Sequence, residues 1–175
     1  MGAIKIARTL DFIRETETSQ FSASTGVSVL ELVCLHEAAH AQVAVDLGCS
    51  RVSFDVQADK GCNNWIIGGC WWNDNPCPYP KIHVRKLIDI AGYLAECLKL
   101  KQDPYACEDK FFETGSCFGG DAKSVGKESF KQYVELGMAR VQPRWQDIVE
   151  AAEECRRLYI EGAEGWAGLE VEEKV

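Results

Sequence analysis

Histidine, proline and methionine are scarce in this chain, which has 3 His, 5 Pro and 2 Met in 175 residues. Positive charge is also in short supply, because 19 Lys and Arg stand against 27 Asp and Glu and leave a net charge of −8. Proteins that bind nucleic acids carry basic patches that neutralise phosphates. The sequence has no basic stripe of that kind, so we expect no nucleic-acid partner.

Long apolar runs are missing as well. No stretch approaches the roughly 18 uncharged apolar residues that a membrane-spanning helix requires. Residues 1–21 mix charges of both signs and contain no uninterrupted apolar segment, which argues against a secretory signal peptide. We therefore expect a cytoplasmic protein without a membrane partner.

The cysteine pattern lacks any Cys-x-x-Cys pair, although the chain has 9 cysteines. That absence argues against a cysteine zinc ribbon or a dithiol redox motif. Without an export signal, a disulfide framework is not expected either. Cys62, Cys70 and Cys77 lie close enough in the sequence to suggest a second metal site, but their irregular spacing favours free thiols.

The overall composition fits one globular domain over residues 1–175, since 46% of the residues are hydrophobic and 26% are charged. Apolar positions between Ile4 and Glu15 predict a first helix, and residues 1–26 are assigned to this helix and a following loop. Residues 161–175 are rich in glutamate and predict an acidic, frayed tail.

The most informative segment that the chain does contain is His36-Glu37-Ala38-Ala39-His40. On a helix the two histidines share one face and can bind one zinc ion at about 2.0–2.1 Å each. Glu37 then lies beside the metal, where it can take a proton from a water that the metal activates. This pattern is typical of zinc metallopeptidases.

Helix signals surround the motif. Ser28 is a predicted N-cap, with Glu31 completing a capping box, and Gly48 suits the position after the helix ends near Leu47. The body of the helix is apolar nearly all round, which predicts that it is buried. Histidines and a glutamate in a buried helix must be ligated or paired, because unsatisfied polar groups are costly there.

Apolar alternation over Arg51–Val56 predicts a strand, and a second strand is expected around Asn64–Trp72. Four further apolar patterns predict helices: Lys81–Leu100, about Pro104–Phe112, Asp121 through Met138, and Pro143 through Tyr159. Gly92, inside the first of these, predicts close helix packing. The predicted fold class is α+β, a mostly helical domain with a small sheet of two or three strands beside the histidine helix.

Catalytic zinc usually has three protein ligands, so a third ligand must come from outside the histidine helix. His83 is the only other histidine, although its place near a helix start is typical of a surface residue. Glu96 could be a ligand or could orient a ligating imidazole. Asp121 is the stronger candidate, with a helix N-cap as its alternative role.

Three segments resemble the FtsH-type family of ATP-dependent zinc proteases. His36–Ala41 is similar to the zinc helix of that family, and Ala91–Glu96 is similar to its Ala-Gly-x-x-Ala-Glu helix. Phe118–Lys123 resembles the Gly-x-x-x-Asp-Leu stretch whose aspartate is the third zinc ligand. The resemblance covers about residues 27–140 and implies a zinc-peptidase fold with Asp121 as the third ligand.

The chain departs from this family at several points. Ala39 stands where the family usually has glycine, and Ala122 replaces the leucine after the aspartate. Neither the AAA-type ATPase nor the membrane anchor occurs in these residues, so we expect a stand-alone peptidase domain. A short likeness to a phosphate-binding loop fails because Asp121 and Glu128 replace its glycine and its Ser or Thr, which argues against ATP.

The sequence therefore predicts a zinc metalloendopeptidase that acts on peptide or protein substrates. Trp65, Trp71 and Trp72 lie on a candidate edge strand and could line an apolar subsite, with ordinary packing as the alternative.

A rival hypothesis is a silent regulatory or protein-binding module with a structural zinc site, in which Cys117 or Glu96 would be the fourth ligand. A metal-free helical interaction protein is a third. Oligomeric state is left open, and a homo-oligomer is compatible with the sequence.

Overall fold

The computed structural model describes residues 25–58, 66–73, 80–113, 119–161 and 166–171. Within them the elements follow in the order α1 (Val29–Asp46), β1 (Ser50–Ala58), β2 (Ile66–Asn73), α2 (Lys81–Leu100), α3 (Glu108–Phe112), α4 (Gly119–Val125), α5 (Phe130–Val141), α6 (Trp145–Glu161) and β3 (Trp166–Val171). Short 3₁₀ turns lie between α4 and α5 at Lys127–Ser129 and between α5 and α6 at Gln142–Arg144. The described part is mostly helical with a small antiparallel sheet, which agrees with the predicted α+β class.

Helix α1 begins where its capping signals predict. Ser28 Oγ accepts a hydrogen bond from the backbone N–H of Glu31 at 3.1 Å. The Glu31 carboxylate forms an ion pair with Lys99 of α2. Gly48 follows the end of the helix with a φ of +76°, a left-handed conformation that glycine adopts without steric cost.

The predicted burial of α1 is confirmed. The helix packs against α2 and α6 and also against β1 and β2, so both of its sides meet other elements. His36, Glu37 and His40 are buried together with the apolar residues of the helix. Polar side chains in such a place must find partners inside the protein.

The sheet has the strand order β2-β1-β3, and both pairings are antiparallel. Val52, Phe54 and Val56 of β1 are buried, and the residues between them are more exposed, as the alternation of the sequence predicts. In the described part of the chain β2 pairs with β1 alone, so β2 forms one edge of the sheet. The other edge is β3.

Strand β3 corrects the prediction of a frayed tail. The strand Trp166–Val171 pairs with β1, with Val171 opposite Val52. A six-residue segment has little strand tendency alone, but the second edge of β1 supplies a row of hydrogen-bonding partners for it. The prediction was wrong for these residues because it weighed local charge and not the open edge of a distant strand.

Two helix predictions also need correction. The predicted helix from Asp121 through Met138 is two helices, α4 and α5, and the chain turns between them at Gly126, where φ is +74°. Because α4 already begins at Gly119, Asp121 lies inside its first turn, and the N-cap alternative for Asp121 is wrong. The helix expected near Pro104 begins later, at Glu108.

Two further helix predictions are confirmed. Helix α2 has the predicted bounds, and α6 follows the turn that contains Pro143.

Several other predictions lie outside the described residues, namely the helix over 4–15, Trp65, Cys62, Cys77 and Cys117. None of the described cysteines forms a disulfide bond: Cys34, Cys49, Cys70, Cys97, Cys107 and Cys155. Among the helices described, none combines the length and the apolar character needed to cross a membrane.

Candidate metal centre

Helix α1 brings His36 and His40 side by side. Their ring centroids are 4.4 Å apart, and the ring planes are nearly perpendicular, at 88°. Asp121 approaches from α4, and its Oδ2 lies 3.2 Å from His36 Nε2 and 3.4 Å from His40 Nε2. The two histidines and the aspartate come from segments far apart in the sequence and converge on one point.

The spacing of these three groups fits a small tetrahedral cation. Zinc bound at about 2.0–2.1 Å with tetrahedral angles separates its ligands by roughly 3.3–3.4 Å. The two distances from Asp121 Oδ2 to the Nε2 atoms, 3.2 and 3.4 Å, are close to that separation. His36, His40 and Asp121 therefore could hold a metal ion, since one donor atom of each lies within 4.8 Å of the other two.

The other nitrogen of each imidazole is held by α2. His36 Nδ1 lies 2.9 Å from Glu96 Oε1, and His40 Nδ1 lies 2.6 Å from the carbonyl oxygen of Ile88. When each Nδ1–H donates to these acceptors, the lone pair of Nε2 faces Asp121. Metal-ligating histidines are commonly oriented in this way, by a carboxylate or a backbone carbonyl. Of the two roles predicted for Glu96, the contact matches that of the orienting partner.

The charges around the cluster favour a positive charge at its centre. Burial lowers the pKa of His36, but hydrogen bonds with Asp121 and Glu96 outweigh it and hold the pKa well above the usual range. Burial likewise acts to raise the pKa of Asp121, yet its hydrogen bonds with His36 and His40 bring the pKa well below the usual range. A divalent cation between these groups would meet the same electrostatic demand as a proton.

Gly92 provides the space for the His36 ring. A Cβ atom at this position of α2 would lie 2.5 Å from Cε1 of His36 and 2.6 Å from its ring nitrogens. Side-chain atoms do not approach that closely, so any larger residue would displace the ring. The close helix packing predicted from Gly92 is confirmed, and it occurs at the imidazole that bridges Glu96 and Asp121.

Glu37 faces the edge strand. Its side chain is buried, with 7% exposed, and it lies against Gly68 of β2. A Cβ on Gly68 would lie 2.4 Å from Glu37 Cγ and 2.5 Å from Oε1. Burial raises the pKa of Glu37, while the nearby imidazoles of His36 and His40 lower it, and the net direction is upward.

The structure does not bring the remaining candidates into this cluster. His83 lies at the other end of α2, and its Nδ1 is 2.8 Å from the hydroxyl of Tyr133, so the alternative ligand role for His83 is not supported. Trp71 is 53% exposed, and Trp72 is half-buried beneath Arg85 of α2. Both lie on the edge strand that also carries Gly68.

Two elements of the centre were missed at the level of sequence. A backbone carbonyl such as that of Ile88 leaves no signal in the side chains. The pair Gly68-Gly69 inside an apolar strand did carry a signal, because glycine within a strand often marks a close approach of another group.

Comparisons of the chain with protein family models, with curated proteins and with solved structures found no match.

Proposed function

We propose that this protein is a zinc-dependent peptidase in which His36, His40 and Asp121 bind the metal and Glu37 is the general base. The observation that carries the proposal is the position of Glu37. It follows a ligand on the same helix, stays outside the group of three donors and lies against the open edge of the sheet. A structural zinc site has four protein ligands and no use for an additional carboxylate.

The donor set fits zinc. Two imidazoles and one carboxylate with an open fourth position are typical of catalytic zinc, which in such sites polarises a carbonyl oxygen and lowers the pKa of water. The second nitrogen of each imidazole is already bonded to α2, so the rings are oriented before a metal arrives. Preorientation of this kind increases metal affinity.

Glu37 is suited to carry a proton in both directions. Burial raises the pKa of the Glu37 carboxyl from its ordinary value, in the direction of neutral pH, although the nearby imidazoles oppose part of that rise. General acid–base catalysts work best when their pKa lies near the working pH. In the proposed reaction the Glu37 carboxylate takes a proton from the attacking water and then donates it to the leaving amine.

Strand β2 is the proposed platform for the substrate. Within the described residues β2 pairs with β1 on one side, so its other side can accept an extended peptide as an added strand. Gly68 lies beside Glu37 and has no side chain to keep a peptide backbone away. Recognition through main-chain hydrogen bonds is tolerant of sequence, which suits a peptidase.

The three segments that resemble the FtsH-type family support the same proposal. His36 and His40 belong to the first segment, Gly92 and Glu96 to the second, and Asp121 to the third. All three meet at one imidazole, because His36 contacts Glu96 and Asp121 and packs on Gly92. A stand-alone peptidase without ATP remains a prediction.

The test compares metal content and peptide cleavage in the wild type and in Glu37→Gln. We expect one zinc per chain in both proteins, and a loss of casein cleavage of about 10²–10⁴-fold in the variant, because a general base contributes that much. Glu135→Gln, an exposed glutamate on α5, is the matched control and should cleave like the wild type.

Equal cleavage by the wild type and Glu37→Gln would contradict the role of Glu37. No cleavage by either protein, with zinc bound to both, would favour the regulatory module with a zinc site. Absence of zinc from the wild type after purification in zinc-containing buffer would contradict the metal centre itself.

A further inference from the structure

The first half of α2 carries an arginine that is fixed at two points. Arg85 Nε donates a hydrogen bond to Asp89 Oδ2 at 2.7 Å, one helical turn away. The guanidinium carbon of Arg85 lies 4.9 Å from the centroid of the Trp72 ring, within the range of a cation–π contact. Asp89 is only 2% exposed, so it cannot follow a moving arginine.

Fixing Arg85 leaves much of its guanidinium available. The guanidinium has five N–H donors, and the bond to Asp89 uses Nε. The Arg85 side chain remains 54% exposed and lines an open pocket of about 540 Å³. Cys70, Trp71 and Trp72 of β2 line the pocket on one side, and Lys81 of α2 lies on the other. We call this the Arg85 pocket.

The Arg85 pocket has the chemistry of a carboxylate receptor. A planar guanidinium presents paired N–H groups that match the two oxygens of a carboxylate. Because Asp89 and Trp72 already hold the side chain, little rotamer freedom is lost when a ligand binds.

We propose that the Arg85 pocket binds an acidic side chain of the peptide substrate and so sets the sequence preference of the peptidase. This inference rests on the proposed function. The pocket and the metal centre share two elements, since β2 carries both Gly68 and Trp72, and α2 carries both Arg85 and Gly92.

The geometry of these elements also gives the position of the acidic residue. Along β2, Gly68 beside Glu37 and Trp72 beneath Arg85 are four residues apart, which is roughly 13 Å at the rise of a strand. Along α2, Arg85 and Gly92 are seven residues apart, which is roughly 10 Å at the rise of a helix. An extended peptide covers such a distance in about three to four residues. We therefore expect the acidic residue about three to four residues from the cleaved bond.

The binding test uses zinc-loaded Glu37→Gln protein, which should hold a peptide without cleaving it. Fluorescence anisotropy compares labelled peptides that are amidated at the C-terminus and carry one glutamate or, at the same position, one glutamine. We expect the best glutamate peptide to bind about tenfold more tightly, as for one charge-assisted hydrogen-bonded pair. Arg85→Met should abolish this difference, and Arg85→Lys, which keeps the charge but not the fork, should retain part of it.

Arg144→Met is the control, because Arg144 is an exposed arginine that pairs with Asp46 and is not among the described residues that line the pocket. It should keep the full preference for glutamate. If Arg85→Met does not fold, the comparison of glutamate and glutamine peptides, and the Arg85→Lys variant, still decide the question. Cleavage products of the wild type, mapped by mass spectrometry, then locate the glutamate relative to the cut.

Equal binding of the glutamate and glutamine peptides, or an unchanged preference in Arg85→Met, would overturn the Arg85 pocket while leaving the peptidase proposal intact. A second pair of the same peptides with free C-terminal carboxylates completes the test, and a preference that appears only with that pair would overturn the assignment to a side chain. Conversely, a glutamate preference that depends on Arg85, without any cleavage by the wild type, would support the pocket and contradict the proposed function.

Discussion

The two halves of α2 are parts of one continuous helix and behave differently. The second half carries Gly92 and Glu96, which contact the buried ring of His36. The first half carries Ile82, which is 61% exposed, and Arg85, which lines an open pocket. The carbonyl of Ile88, near the middle of the helix, holds His40. One helix thus supports a closed polar cluster at one end and an accessible surface at the other.

The difference shows what burial demands of polar groups. A buried imidazole or carboxylate must be bonded within the protein, because water cannot replace a missing partner. The second half of α2 is therefore fixed residue by residue. On the exposed face of the first half, water can solvate the Arg85 guanidinium when no ligand is bound, so the pocket can stay open. We call the second half of α2, with Gly92 and Glu96, the closed end, and the first half, with Ile82 and Arg85, the open end. Substitutions at the closed end should weaken metal binding, and substitutions at the open end should not.

The largest effect is expected from removal of a ligand. His40→Ala should lose stoichiometric zinc, since two protein donors remain where a catalytic site needs three. The measurement is zinc per chain by mass spectrometry after gel filtration. His83→Ala removes a histidine from the first half of α2 and should retain one zinc per chain. Equal zinc content in His40→Ala and the wild type would mean that His40 is not a ligand of the bound zinc.

The second prediction concerns space at the closed end. Gly92→Ala places a Cβ 2.5 Å from His36 Cε1, and the ring must then move away from Glu96 and Asp121. We expect a loss of about 2 kcal/mol in the free energy of unfolding, measured in urea, because overpacking outweighs the helix preference of alanine.

Gly120→Ala is the matched change for Gly92→Ala. Gly120 is exposed in α4, and a Cβ there would meet nothing within 4 Å. We expect it to be neutral or to stabilise the protein by up to about 1 kcal/mol. Similar stabilities for the two variants would mean that His36 does not depend on the space at Gly92.

The smallest effect is expected from the orienting carboxylate. Glu96→Gln keeps an oxygen that accepts a hydrogen bond from His36 Nδ1–H but removes the charge. We expect zinc affinity to fall about tenfold, the lower end of the range for partners of ligating histidines. Competition with a fluorescent chelator measures it. Arg85→Met, at the open end of the same helix, should leave zinc affinity unchanged. An equal fall in zinc affinity in both variants would mean that the two ends of α2 do not differ in their effect on the metal.

Local sequence signals predicted α1 and α2 better than the tail. The cap at Ser28, the glycine at Gly48 and the apolar pattern over Lys81–Leu100 all act within a few turns of helix, and the structure confirms each. The sequence left two roles open for Asp121, a metal ligand or a helix N-cap. The start of α4 at Gly119, two residues earlier, excludes the N-cap role, and this start is not evident from the sequence. The strand Trp166–Val171 could not be predicted, because its partner β1 lies over a hundred residues away.

The sequence by itself determined that α1 is a buried helix with two imidazoles on one face, because helical periodicity and apolar content are local properties. Only the tertiary structure decided which groups meet those imidazoles, because Glu96, the Ile88 carbonyl and Asp121 reach them through helix packing. It also decided that Glu37 faces Gly68 on a sheet edge and that Arg85 lies over Trp72. These contacts join segments that no short-range rule connects, since they depend on how whole helices and strands pack.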